Sequence, residues 1–152
     1  MRKCYLGLLS SLLLMHPMLA AEPGFRAELI GGTLPGVAPH SSFRLDLTAT
    51  DLFRLRGRGE ELNIAYNKVV SIEYGQNVSR PVLAAALVSP VLLLSKSHKH
   101  YVTLEYTDAE GNQQALVFQV SKGDIRSVLA GLEARTGRRI EYQDDNARKA
   151  GQ

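Results

Sequence analysis

Tyr101-Val102-Thr103-Leu104-Glu105-Tyr106-Thr107 alternates apolar and polar residues, Asp108-Ala109-Glu110-Gly111-Asn112 is a polar turn, and Gln113-Gln114-Ala115-Leu116-Val117-Phe118-Gln119-Val120 returns. A period of two puts Val102, Leu104 and Tyr106 on one face of a strand and Leu116, Phe118 and Val120 on one face of its partner. The segment therefore predicts an antiparallel hairpin with a buried side. Immediately afterwards the period changes. Ile125, Val128, Leu129 and Leu132 recur at i, i+3, i+4 and i+7, which predicts an amphipathic helix of about four turns. Ser121, three residues before Asp124, is a variant of the capping box at its start. Gly137 supplies its stop, with Arg135, Arg138 and Arg139 near the negative end of the helix dipole. Beyond Tyr142 the chain is polar, and residues 143–152 read as a flexible tail.

Upstream of the hairpin the same period of two recurs in short pieces. Phe25 to Ile30 reads as a first strand ended by Gly31-Gly32, and a Pro- and Gly-rich loop covers Thr33 to Ser42. Phe43-Arg44-Leu45-Asp46-Leu47 and Asp51-Leu52-Phe53-Arg54-Leu55-Arg56 both alternate apolar with charged residues. Gly57-Arg58-Gly59 turns the chain into Glu61 to Tyr66, and Asn67-Lys68 marks a turn before Val69 to Tyr74. The sum is about seven short antiparallel strands followed by one C-terminal helix.

That order resembles the pleckstrin-homology-like barrel, in particular its GRAM-type and bacterial variants, over roughly residues 25–140. The resemblance is carried by Glu61-Leu62-Asn63-Ile64-Ala65-Tyr66-Asn67-Lys68-Val69-Val70-Ser71-Ile72-Glu73-Tyr74, which is similar to those domains' strand, polar turn and I-x-x-I/V strand. It implies a small barrel of about seven antiparallel strands over residues 22–142, interrupted by an apolar insertion. The Tyr74-Gly75-Gln76 centre and the Leu132-Glu133-Ala134-Arg135-Thr136-Gly137 helix end also resemble exported bacterial proteins, a likeness that implies no activity. Phosphoinositide-binding members of the barrel family surround the headgroup with cations from the first loop, whereas Thr33 to Ser42 contains no Lys or Arg. That ligand is rejected.

The N-terminus carries the three parts of a secretory leader: Arg2 and Lys3, the apolar run Leu6 to Met15, and the small residues Ala20 and Ala21. The run is shorter than the roughly 20 apolar residues of a spanning helix. Residues 1–21 are expected to be removed, leaving a periplasmic or extracellular domain with no transmembrane helix. Of the 152 residues, 18 are Lys or Arg and 15 Asp or Glu. Cleavage takes Arg2 and Lys3 and no acid, so the net charge falls to +1. No nucleic-acid footprint survives in that balance. The single cysteine, Cys4, leaves with the leader, which excludes a disulfide, a thiol nucleophile or a thiolate-bound metal in the mature chain.

Two segments attract attention as sites. Val82 to Leu94, with Leu83, Leu87, Leu92 and Leu94, is a 13-residue apolar run, about 20 Å as a helix against a hydrocarbon core of about 30 Å. It reads as core filling first, and as a partner-binding or membrane-surface patch second. His98 and His100 follow at i and i+2, which on a strand places both imidazoles on one face, as a two-ligand metal contact or an anion site would need. Flanking Lys96 and Lys99 oppose a metal, and no tight zinc is expected. Arg54, Arg56 and Arg58 share the polar face of the third strand and its turn. They suit an acidic partner, or a solvated sheet face that discourages edge pairing.

No catalytic motif is present. Gly31 to Gly36 lacks the Lys-Ser/Thr ending of a phosphate loop, and no Gly-x-Ser-x-Gly elbow occurs. The sequence thus points to an exported, non-enzymatic binding module without metal or cofactor, whose partner is another envelope protein, a peptide strand or an apolar ligand. The competing readings are a small hydrolase or metal-dependent enzyme built on His98 and His100, and membrane-surface association through residues 82–94.

Overall fold

The computed structural model describes residues 23–33, 38, 40–59, 61–76 and 99–152. The alternating segments become strands β1 (Phe25–Gly32), β2 (Ser41–Asp46), β3 (Leu52–Arg56), β4 (Glu61–Ala65), β5 (Val69–Gly75), β6 (His100–Thr107) and β7 (Gln113–Val120). A 3-10 turn at Tyr66–Lys68 joins β4 to β5. Helix α1 (Ile125–Thr136), strand β8 (Ile140–Tyr142) and helix α2 (Asp145–Gly151) complete the described chain.

All eight strands form one sheet in the order β4-β3-β2-β1-β7-β6-β5-β8. The first four strands form one meander and β5 to β7 another, and β1 pairs with β7 to join them. Every pair is antiparallel except β5 with β8, where Ile72 lies opposite Ile140 and Tyr74 opposite Tyr142. The hairpin register sets Val102 against Phe118 and Leu104 against Leu116. Its predicted apolar face is buried, with Val102, Leu104 and Leu116 fully shielded from water.

This arrangement overturns the pleckstrin-homology-like, GRAM-like barrel. The hydrogen-bonded order has two ends, β4 and β8, so the sheet is open, and the β5–β8 pair makes it mixed rather than all antiparallel. The physical reason lies in three residues after the helix. Strand β8 occupies the edge of β5 that would have to meet β4 for the sheet to close. The seven antiparallel strands expected from the sequence exist, and an eighth, parallel one was not foreseen. The apolar insertion falls within residues 77–98, outside the described residues.

Helix α1 covers the inner face of the sheet. Ile125, Val128, Leu129 and Leu132 are all buried, and together with Leu45, Phe53, Ile64, Ile72, Leu104 and Phe118 they form the core. Each such side chain gains about 1.5–3 kcal/mol by leaving water. Polar contacts fix the position of the helix. Arg135 Nη1 donates to the Ala49 carbonyl at 2.6 Å and Arg138 Nε to the Val69 carbonyl at 3.1 Å, while the Arg135 guanidinium stands 5.7 Å over the Tyr66 ring. Gly137, at φ 68°, ends the helix in the left-handed conformation, and its N–H donates to the Glu133 carbonyl.

On the opposite face of the central strands, alternation places Tyr101, Thr103 and Val117, and these are buried as well. Ile30, at the register shift between Leu29 and Gly31, joins them. The chain after Tyr142, which the sequence read as a flexible tail, is helical instead. Asp144 caps α2 by accepting from the Ala147 N–H at 2.7 Å, and Ala147 is fully buried. Among the described residues no helix is long and apolar enough to cross a membrane.

Candidate functional site

The alternation that buries Phe53 and Leu55 turns Arg54 and Arg56 to the outer face of β3, as expected. What the sequence alone does not show is the company Arg56 keeps. In the register of the sheet Arg26 of β1 lies opposite Arg44 of β2, and Arg44 opposite Arg56 of β3. Three arginines therefore occupy one rung across three adjacent strands. Like charges directly opposite one another on a sheet are destabilising. Arg58, in the turn after β3, adds a fourth cation to the groove that this rung lines.

The groove has a volume of about 540 Å3, and Phe43, Gly57 and Val120 are apolar residues of its lining. A Cβ on Gly57 would stand 2.7 Å from the Phe43 ring, so a larger residue there would require that ring to shift. Gln119, from β7, contributes a buried amide oxygen that has no hydrogen-bond donor among the described residues. An unpaired buried acceptor costs about 1–3 kcal/mol.

Part of the positive charge is balanced within the sheet. Asp46 is almost fully buried and takes the Thr48 N–H at 2.9 Å and the Thr48 hydroxyl at 2.6 Å. It also faces Arg56 at 3.2 Å and Arg54 at 3.7 Å. The Thr48 hydrogen bonds, helped by the two guanidinium groups, hold its carboxyl below the usual aspartate value against the opposing effect of burial. Arg56 meets Glu61 at 3.4 Å as well, and Arg44 donates to the Gly24 carbonyl at 3.1 Å. Among the described residues Arg26 and Arg58 make no ion pair. Glu28, which also lines the groove, is engaged by His40 at 2.7 Å. Strand β3 lies between β2 and β4, so its arginines guard no sheet edge.

The other sequence candidates separate. His100 starts β6 and is 7 % exposed, with Nδ1 2.5 Å from the Tyr74 hydroxyl and the two rings stacked 6.0 Å apart. Burial lowers its pKa below the usual histidine value, and the neighbouring Lys122 charge lowers it further. His98, Leu83, Leu87, Leu92 and Leu94 lie outside the described residues. Among the described residues no three His, Cys, Asp or Glu side chains gather to hold a metal ion. Among the described residues strand β4 is paired on one side only, and a second groove of about 530 Å3 is lined by Ile64 and Tyr106.

Arg26 and Arg44 were missed by the sequence reading, though one signal was present. Both follow a phenylalanine and precede an apolar residue, so a period of two already puts them on a polar face. That they share a rung with Arg56 depends on strand pairing, which local periodicity does not encode. No family model and no curated protein matches this chain.

Proposed function

We propose that the protein is an exported, non-enzymatic binding module and that the arginine groove receives an acidic segment of another protein. The carrying observation is the Arg26–Arg44–Arg56 rung, continued by Arg58 along a groove with apolar walls. A peptide with several carboxylates would give counter-charge to Arg26 and Arg58, which make no ion pair among the described residues, through paired N–H···O bonds suited to guanidinium. It would also bring backbone N–H groups, which a bare anion does not have. The buried Gln119 oxygen is an acceptor for one of them.

The metal-dependent enzyme reading needs His98, which lies outside the described residues, and among those described no three His, Cys, Asp or Glu side chains gather to hold a metal ion. Membrane-surface association through residues 82–94 rests on residues outside those described.

The test is fluorescence anisotropy of a labelled Glu/Asp-rich peptide and its Gln/Asn counterpart with the mature protein at 50 and 300 mM salt. Binding of the acidic peptide alone, weakened at high salt and by at least tenfold in Arg26→Glu, is expected. Equal binding of both peptides, or an unchanged affinity in Arg26→Glu, would refute the proposal. Anionic vesicles that bind through the same arginines while the peptide stays free would replace a protein partner by a lipid surface.

A further inference from the structure

A second basic cavity, separate from the arginine groove, lies on the helical side of the molecule. Its volume is about 950 Å3, and Gln76, His100, Lys122, Arg126 and Lys149 line it, with Asn146 at the side. Four separate elements bring these residues together: the end of β5, the start of β6, the turn and first residues of α1, and α2. Among the described residues Lys122, Arg126 and Lys149 make no ion pair, and no carboxylate lines the cavity. Three cations around one hollow repel each other. Such a cluster is stabilised by an anion at its centre.

His100 makes this more than a patch of solvated lysines. It is buried, and its position is fixed from behind by the Tyr74 hydroxyl on Nδ1. Tyr74 is itself pinned. Tyr142 stands edge-on at 6.1 Å, and a Cβ on Gly151 would reach within 3.1 Å of the Tyr74 ring. Burial raises the Tyr74 pKa to about 12, so the phenol keeps its hydrogen. In the tautomer with Tyr74 donating to Nδ1, Nε2 carries the ring hydrogen and is the nitrogen left for a group in the cavity. A neutral N–H donor held in place beside two ammonium groups and a guanidinium is a donor set for a compact oxyanion with several acceptor oxygens.

We infer that this cavity binds the phosphate group of a small phosphomonoester, held by Lys122, Arg126, Lys149 and His100. A bare phosphate would fill only a fraction of about 950 Å3, whereas cavities of roughly 300–1,000 Å3 hold ligands of small-organic size. The amides of Gln76 and Asn146 serve the hydroxyl-bearing remainder of such a molecule. A phosphomonoester, with a second pKa of about 6, is mostly a dianion at neutral pH and so is opposite in sign to the three cations of the cluster.

The experiment is a titration of the isotopically labelled mature protein with inorganic phosphate, a sugar monophosphate, sulfate and chloride at constant ionic strength, followed by amide NMR shifts. Saturable shifts at His100, Lys122, Gly123 and Arg126 are expected, stronger for the sugar phosphate than for free phosphate and absent with chloride. Phosphate as tight as the sugar phosphate would assign the site to the free ion and overturn the small-ester inference. The double variant Lys122→Gln/Arg126→Gln changes two exposed side chains and should fold. A loss of affinity of at least tenfold is expected there, with none in Arg26→Gln, which separates this cavity from the arginine groove. Identical shifts with all four anions, or undiminished binding in the double variant, would overturn the inference. So would a Glu-rich peptide that occupies the cavity while the phosphates do not.

Discussion

The Tyr74 hydroxyl and Nδ1 of His100 lie 2.5 Å apart on the inner face of adjacent strands, with their rings parallel to within 5°. The relationship ties the end of β5 to the start of β6 across the 77–98 segment, and it makes a buried imidazole part of the fold.

Stability should therefore fall on mild acidification. The folded-state pKa of His100 lies below 6.5, so the unfolded chain takes up the proton first. Stability is fully present above about pH 6.5 and declines as the pH drops from there through the folded value, below which this term levels off. Burial is the main cause, and the neighbouring Lys122 charge opposes protonation as well. Urea unfolding at pH 7.5, 6.5 and 5.5 should show the decline in wild type. In His100→Gln, which keeps an acceptor for Tyr74 and cannot titrate, the profile should flatten. Equal slopes in the two proteins would remove His100 as the cause.

Asp46 gives a second, separable acid effect. Its carboxyl is held below 3.8, so its contribution is intact above that value and is lost as the pH falls through the folded pKa. Asp46→Ala leaves Thr48 without its acceptor and the half-exposed Arg54 and Arg56 without their shared counter-charge. A loss of about 1–3 kcal/mol in urea unfolding at pH 7 is expected. Asp46→Asn should retain part of this through the Thr48 contacts.

Truncation after Tyr142 distinguishes a docked C-terminus from a flexible one. The deletion removes the Gln143 N–H bond to the Tyr74 carbonyl at 3.1 Å, the Gln143–Glu73 side-chain bond at 2.9 Å and the buried Ala147. A fall in melting temperature of at least several degrees is expected. An unchanged melting curve would show that α2 contributes nothing to stability.

Core packing under α1 predicts a cost of about 2–5 kcal/mol for Leu132→Ala, whose side chain is fully buried. Gly137→Ala, forced to hold φ 68°, should cost about 1 kcal/mol with no change in buried area. Denaturant melts of both variants test the helix and its stop independently.

Export is checked by intact mass. Protein recovered from its natural host is expected to begin at or beside Glu22, in keeping with the leader pattern of residues 1–21. Recovery of the full 152-residue chain from the cytoplasm would contradict it.

By itself the sequence determined the local elements. Period-two alternation together with glycine and turn signals placed β1 to β7 to within a few residues, and the spacing of Ile125, Val128, Leu129 and Leu132 gave helix α1 its buried face. Those features depend on neighbours a few positions apart along the chain, so they are written locally. Tertiary structure alone decided which strands meet. Ile140 to Tyr142 is too short to show a period, yet its parallel pairing with Ile72 to Tyr74 turns an expected closed barrel into an open sheet. The same holds for the candidate sites. The polar-face positions of Arg54 and Arg56 were legible from alternation, but the rung with Arg44 and Arg26 exists only because β1, β2 and β3 pair in one particular register. His100 stood out in the sequence as half of a histidine pair with His98. Its bond to Tyr74, 26 residues away, and its place beside Lys122, Arg126 and Lys149 come from contacts across separate elements, which no local pattern encodes.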